Sequence, residues 1–85
     1  MQFEFEKLPP DQVIIRFFPD QDDPEWLIPL LDDPSTDDDK FRELCQKVVN
    51  QKLDGDWSGI NVIEYDESEY KVIVTVHDNK KGIGN

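Results

Sequence analysis

Residues 37–53 read DDDKFRELCQKVVNQKL, and their apolar side chains recur at the spacing of one face of an α-helix. The residues on this face are Phe41, Leu44, Cys45, Val48, Val49 and Leu53. We predict an amphipathic helix over this range, with Ser35 or Thr36 as its N-cap and Gly55 just beyond its C-terminus. The three aspartates precede the basic residues of the helix, an order that the helix dipole favours.

Four further segments have the alternating or β-branched pattern of strands. These segments are residues 2–6, 13–18, 60–65 and 70–77. The resulting order, β-β-α-β-β, predicts an α+β fold: a small single domain over residues 1–77 with a four-stranded, mainly antiparallel sheet. We expect the long helix to cover one face of this sheet. Residues 78–85, with two glycines and no periodic pattern, are predicted to form a flexible C-terminal tail.

Short helical turns are expected before the long helix, between Pro24 and Leu31. Asp23 is a suitable N-cap for them, and Pro24 is a suitable first helical residue. Pro29 lacks a backbone N–H, so we do not expect a regular helix to continue past it, and we expect one or two short turns that are partly 3₁₀.

The segment between the second strand and the long helix is strongly acidic. Residues 17–39 contain nine acidic residues and neither Lys nor Arg. The nine are Asp20, Asp22, Asp23, Glu25, Asp32, Asp33, Asp37, Asp38 and Asp39. The whole chain has a formal net charge of −11. This charge argues against direct binding to nucleic acid or to an anionic membrane, because both depend on Lys and Arg, and it favours basic proteins as partners.

An apolar block, residues 26–31, lies inside this acidic segment. Two interpretations are open. Either these side chains close one end of a small core, or Trp26 anchors a partner while the surrounding carboxylates meet a basic rim. On the second interpretation, the residues that bind the partner are Asp20, Asp22, Asp23, Glu25, Trp26, Asp32 and Asp33.

Size and charge together favour a non-enzymatic protein–protein interaction module. We expect an inhibitor or accessory factor that binds a basic surface of a larger partner, such as a nucleic-acid-binding protein. The protein itself is expected to be a monomer or a weak dimer. The alternative interpretation of the charge is that it only keeps a small protein soluble.

A different function, calcium binding, is suggested by residues 54–59, DGDWSG. The first, third and fifth positions of a calcium loop would hold Asp54, Asp56 and Ser58. The twelfth position holds Tyr65 instead of a glutamate, and Glu64 lies one residue early. A helix C-cap followed by an Asx turn accounts for the same residues. Ca²⁺ bound by Asp54, Asp56, Ser58 and Glu64 is therefore the alternative, and we predict no other cofactor.

The single cysteine, Cys45, excludes an internal disulfide and a four-cysteine zinc site. It lies on the apolar face of the predicted helix, where a free cysteine behaves as a small core residue, and nothing pairs it with His77 for nucleophilic catalysis. We therefore predict that the protein is not an enzyme. The sequence contains no signal-peptide pattern and no membrane-spanning segment, so we expect a cytoplasmic location.

Overall fold

The fold is α+β, as the sequence predicts. The computed structural model describes residues 1–53 and 57–78, and for residues 57, 58, 77 and 78 it describes the backbone alone. In chain order the elements are β1 (Gln2–Leu8), β2 (Gln12–Phe18), α1 (Leu27–Asp32), a 3₁₀ turn (Pro34–Thr36), α2 (Asp38–Lys52), β3 (Trp57–Asp66) and β4 (Lys71–Asp78). Neither helix found in these ranges is long and apolar enough to cross a membrane.

The strands form one antiparallel sheet in the order β1-β2-β4-β3. The hairpins β1–β2 and β3–β4 each join strands that are adjacent in sequence, and β2 pairs with β4 in the centre of the sheet. Ile15 has Phe5 on one side and Val72 on the other. Since β2 and β3 are both antiparallel to β4, they run parallel to each other, and the chain crosses the sheet between them. α1, the 3₁₀ turn and α2 lie in this connection.

One face of the sheet forms the hydrophobic core together with the two helices. Alternate residues of the central strands are buried there: Val13, Ile15 and Phe17 from β2, and Val72, Val74 and Val76 from β4. They form a single cluster with helix side chains that include Leu27, Leu30, Leu31, Phe41, Cys45, Val48 and Val49. The long helix therefore covers one face of the sheet, as predicted.

The N-terminus of α2 differs from the prediction. Asp37 is the N-cap, and its Oδ1 accepts a hydrogen bond from the backbone N–H of Lys40 at 3.1 Å. The prediction of Ser35 or Thr36 as the N-cap is wrong, because both residues belong to the preceding 3₁₀ turn. Leu44, which the periodicity places on the buried face, is only partly buried at the margin of that face.

The short helical turns predicted before α2 are confirmed: α1 has six residues, includes Pro29 and is followed by a 3₁₀ turn. Pro29 is the third residue of α1, and N–H groups in a first helical turn have no acceptor within the helix, so the missing donor costs no hydrogen bond. The N-cap position is Trp26, without a side-chain hydrogen bond, instead of Asp23. The 3₁₀ geometry follows α1, at Pro34–Thr36, where Asp33 is the cap.

Three of the four strands, β1, β2 and β3, are longer than the sequence pattern predicts. β1 continues two residues beyond its predicted end, and β3 begins at Trp57, three residues before its predicted start. β4 begins at Lys71, because Tyr70 has a φ of 53° and belongs to the turn.

α2 ends at Lys52 with Leu53 as its C-cap, and Asp78, the first residue of the predicted tail, belongs to β4 instead. Gly55, predicted just beyond the helix, and residues 79–85 of the predicted tail lie outside the described residues.

Candidate functional site

The acidic segment folds into a tight loop directly after β2. The backbone N–H of Asp22 donates to Oδ1 of Asp20 at 2.9 Å, and the N–H of Asp20 donates to Oδ2 of Asp23 at 2.7 Å. Asp side chains commonly form turns of this kind with nearby backbone groups. Two of the carboxylates predicted to bind a partner, Asp20 and Asp23, thus maintain the shape of the loop. Asp20 and Asp22 also remain exposed.

The N-terminal ammonium of Met1 lies in this loop. It is 2.7 Å from Oδ1 of Asp23 and 3.5 Å from Oδ2 of Asp20, because the pairing of β1 with β2 sets Gln2 opposite Phe18. Its hydrogen bond with Asp23 raises the pKa of the Met1 amino group and lowers the pKa of the Asp23 carboxyl. The acidic loop has no Lys or Arg of its own, but the Met1 amino group places one positive charge against it. The sequence pattern does not show this contact, because Met1 and the loop lie at opposite ends of the β1–β2 hairpin in the chain.

A second acidic segment, the β3–β4 turn, contains Asp66, Glu67 and Glu69. The backbone N–H and the hydroxyl of Ser68 both donate to Oδ1 of Asp66, at 3.0 and 2.6 Å. The hydrogen bond from the hydroxyl is the main reason that the pKa of Asp66 is lowered, so this carboxyl stays ionised. Glu69 lies near two cations: its carboxylate is 3.6 Å from Arg16 and 3.8 Å from Lys71.

Tyr70 brings the two acidic segments together. Its hydroxyl donates to Oδ1 of Asp32 at 2.7 Å, and its carbonyl accepts a hydrogen bond from the N–H of Phe17 at 2.9 Å. The hydrogen bond to Asp32 raises the pKa of the Tyr70 phenol. The β3–β4 turn thus lies at the same end of the sheet as the loop after β2. We call this surface the acidic end; its carboxylates are Asp20, Asp22, Asp23, Asp32, Asp66, Glu67 and Glu69.

The three carboxylates that the β3–β4 turn contributes to the acidic end were not among the residues predicted to bind a partner. Residues 66–69 are rich in acids, but in the sequence they only connect two predicted strands, residues 60–65 and 70–77. Nothing in the local pattern indicates that this turn lies beside Asp32, since their proximity depends on the strand order and on the chain crossing between β2 and β3.

Trp26 and its apolar neighbours divide between surface and core. Leu27, Leu30 and Leu31 are buried, whereas 41% of the Trp26 side chain is exposed. Nζ of Lys40 lies 4.1 Å from the centroid of the Trp26 ring, within the range of a cation–π interaction. Each interpretation of the apolar block therefore fits some of its residues: the leucines close the core, and Trp26 is accessible to a partner.

The two remaining predicted partner-binding residues differ in their surroundings. Glu25 is exposed on the surface immediately before Trp26. Asp33 is exposed too, but its Oδ1 accepts a hydrogen bond from the N–H of Ser35 at 3.2 Å and another from the Ser35 hydroxyl. Asp33 therefore caps the 3₁₀ turn, whereas Glu25 is not at the cap position of α1, which is Trp26.

The calcium-site residues fall partly outside the described ranges. Asp54 and Asp56 lie in the gap between α2 and β3. The backbones of Ser58 and Glu64 both belong to β3, and their partners on β4, His77 and Ile73, are four residues apart, which corresponds to roughly 13 Å of extended chain. A single calcium ion could therefore be bound by Ser58 or by Glu64, but not by both. Among the residues that the structure describes, no group of three metal-binding side chains occurs, and calcium binding by this loop stays a prediction.

Cys45 is fully buried in the helix–sheet core, where the sequence places it. Burial raises the pKa of its thiol to about 12, so the thiol stays protonated and is a poor nucleophile at neutral pH. The side chain of His77, the other residue considered for catalysis, is outside the described part of the structure.

The acidic end is suited to electrostatic recognition. Ionised carboxylates accept short, strong hydrogen bonds from Lys and Arg, and those of Asp20, Asp22 and Glu67 are exposed. An exposed aromatic ring, Trp26, follows the same loop. Comparison of the chain with protein-family models, with curated proteins and with solved structures found no match.

Proposed function

We propose that the protein is a non-enzymatic interaction module whose acidic end binds a basic surface of a larger partner, as an inhibitor or accessory factor. The observation that carries this proposal is the hydrogen bond between Tyr70 and Asp32, which brings together two acidic segments 38 residues apart. Separate acidic runs in a sequence attract cations weakly. Carboxylates gathered at one end of a small fold create a stronger local potential for a basic partner.

The partner class follows from the same chemistry. A surface rich in Lys and Arg, of the kind that otherwise meets phosphate groups, complements the acidic end in charge and in hydrogen-bond donors. The favoured partner is therefore a nucleic-acid-binding protein, whose anion site the acidic end would occupy. Charges at the rim of such a contact mainly set the association rate, while Trp26 provides a candidate apolar anchor beside them.

The test compares two double substitutions that each remove two negative charges. Asp22→Asn with Glu67→Gln changes exposed carboxylates of the acidic end, and Glu43→Gln with Glu64→Gln changes exposed carboxylates elsewhere. The partner is first captured on the unmodified protein at low salt, identified and purified. Association rates of the three proteins with the purified partner are then measured as a function of ionic strength.

We expect the Asp22/Glu67 pair to slow association about tenfold at low salt, and the Glu43/Glu64 pair to have a clearly smaller effect. The difference should diminish as salt screens the charges. Equal effects of the two pairs, or a rate that does not depend on ionic strength, would show that the acidic end is not the binding surface.

A further inference from the structure

The two edges of the sheet differ in regularity. β1 pairs with β2 through seven consecutive residue pairs, from Gln2 opposite Phe18 to Leu8 opposite Gln12, without a shift in register. The pairing of β3 with β4 is interrupted by two register shifts. Irregularities of this kind are a common means of blunting an edge strand, whereas a regular edge leaves a row of backbone N–H and C=O groups able to pair with another strand.

The core-facing side chains of β1 are incompletely covered. Phe3 and Phe5 are only partly buried, although their cross-strand partners Phe17 and Ile15 are almost completely buried. Nζ of Lys52, the last residue of α2, lies 5.4 Å from the Phe3 ring centroid, within the range of a cation–π interaction. The apolar layer of the sheet therefore continues to its edge, where a further strand could extend it.

The opposite face of β1 carries the exposed carboxylates of Glu4 and Glu6. Nη1 of Arg16 lies 4.0 Å from Oε1 of Glu4, so this ion pair is weak. If the β1 strands of two copies paired, they would place these acids against one another, and like charges on paired strands are destabilising. A strand with Lys or Arg on this face would instead form favourable pairs.

We propose that β1 is a docking edge for an extended partner segment in which Lys or Arg alternates with apolar residues. The segment adds a fifth strand to the described sheet. Its basic side chains lie beside Glu4 and Glu6, and its apolar side chains lie beside Phe3 and Phe5. Main-chain hydrogen bonds supply affinity in this mode of recognition, and the alternating side chains supply specificity. The proposal concerns β1 alone and does not depend on the function proposed for the acidic end.

The probe is a peptide of the length of β1 in which Lys alternates with Val. Two matched peptides accompany it: one with Glu in place of Lys, and one with N-methyl groups on the edge that would pair with β1. Backbone-resolved NMR measures chemical shifts and hydrogen exchange in the full chain. We expect the Lys–Val peptide to slow exchange of β1 amides at least about tenfold, and the N-methylated peptide to lose this effect, because it cannot donate to the strand.

A charge-exchanged variant tests the specificity. Glu4→Lys with Glu6→Lys alters exposed side chains, so we expect it to fold, and it should bind the Glu–Val peptide while losing the Lys–Val peptide. Asp22→Asn with Glu67→Gln, which alters the acidic end, should leave protection of the β1 amides by the Lys–Val peptide in place.

Three results would overturn the proposal. Equal binding of the N-methylated peptide would mean that charge alone holds the segment. Changes in chemical shift confined to residues 20–25 and 66–69 would mean that the peptide binds at the acidic end instead of at β1. Dimerisation of the free chain in sedimentation experiments, reversed by addition of the Lys–Val peptide, would identify a second copy as the occupant of β1.

Discussion

The hydroxyl of Tyr70 donates a 2.7 Å hydrogen bond to Oδ1 of Asp32, which joins the β3–β4 turn to the end of α1. Tyr70 has a φ of 53°, in the left-handed region that costs a residue with a side chain about 1–2 kcal/mol. Its carbonyl accepts from the N–H of Phe17, so one residue connects the turn, α1 and β2. These contacts compensate for an unfavourable backbone conformation, and they fix the relative position of the two acidic segments.

Tyr70→Phe removes this hydrogen bond and leaves the ring in place. We expect the free energy of unfolding to fall by about 0.5–1.5 kcal/mol, the usual net contribution of one hydrogen bond. Urea denaturation of Tyr70→Phe, Asp32→Asn and the double variant forms a double-mutant cycle that isolates the pair. Additive losses in the double variant would mean that the two side chains do not interact in solution.

The ion pair between Met1 and Asp23 predicts a pH-dependent contribution to stability. The carboxyl has an ordinary pKa of 3.8, lowered in the fold, so its contribution is present above pH 3.8 and is lost as the pH falls through the lowered value. The amino group has an ordinary pKa of 8.0, raised in the fold, so its contribution is present below pH 8.0 and is lost as the pH rises through the raised value. The ion pair therefore stabilises the fold fully between these two values.

Asp23→Asn should lower the melting temperature at pH 6 more than Asp22→Asn, a substitution in the same loop whose side chain lies outside this ion pair. The difference between the two variants should shrink as the pH falls through the lowered pKa of Asp23 and as it rises through the raised pKa of the Met1 amino group, because one member of the ion pair then loses its charge. Thermal melts of both variants across this range measure the effect. A difference that does not change with pH would assign the role of Asp23 to its hydrogen bond with Asp20 instead.

A matched pair of Leu→Ala substitutions tests the location of the core. Leu31 has no exposed surface, so Leu31→Ala should cost about 2–5 kcal/mol, which could unfold so small a domain. Leu44 is only partly buried, so Leu44→Ala should cost about 1 kcal/mol or less. Denaturant melts measure the loss in the free energy of unfolding for each variant, and far-UV circular dichroism checks that each variant folds. A larger loss for Leu44→Ala would mean that the assigned buried face of α2 is wrong.

Addition of Ca²⁺ tests the alternative function. We expect millimolar Ca²⁺ to leave the melting temperature unchanged relative to Mg²⁺, because the extended β3 keeps Ser58 and Glu64 far apart and Ca²⁺ takes six to eight oxygen ligands. A ligand that binds only the folded chain must stabilise it, so a saturable rise in melting temperature would contradict this expectation. Loss of that rise in Asp54→Asn with Asp56→Asn would then locate the site in the loop before β3.

The fold class and the buried face of the long helix could be predicted because both depend on local periodicity. Phe41, Cys45, Val48 and Val49 recur at helical spacing and are buried together. Helix termini were less predictable, because Ser35, Thr36 and Asp37 are adjacent and all three are residue types that commonly cap a helix. The short helical turns before α2 could also be predicted, but the position of Pro29 in the first turn of α1 could not, because it depends on where the helix begins.

The sequence alone determined that this is a small, acidic α+β chain with an amphipathic helix, since composition and side-chain period are properties of adjacent residues. Only the tertiary structure decided that Asp32 meets Tyr70, that the Met1 ammonium neutralises part of the acidic loop, and that β1 is a regular edge. Each of these depends on strand order and register, which join residues far apart in the chain. Contacts of that kind arise from the packing of the whole core and have no signature in any short segment.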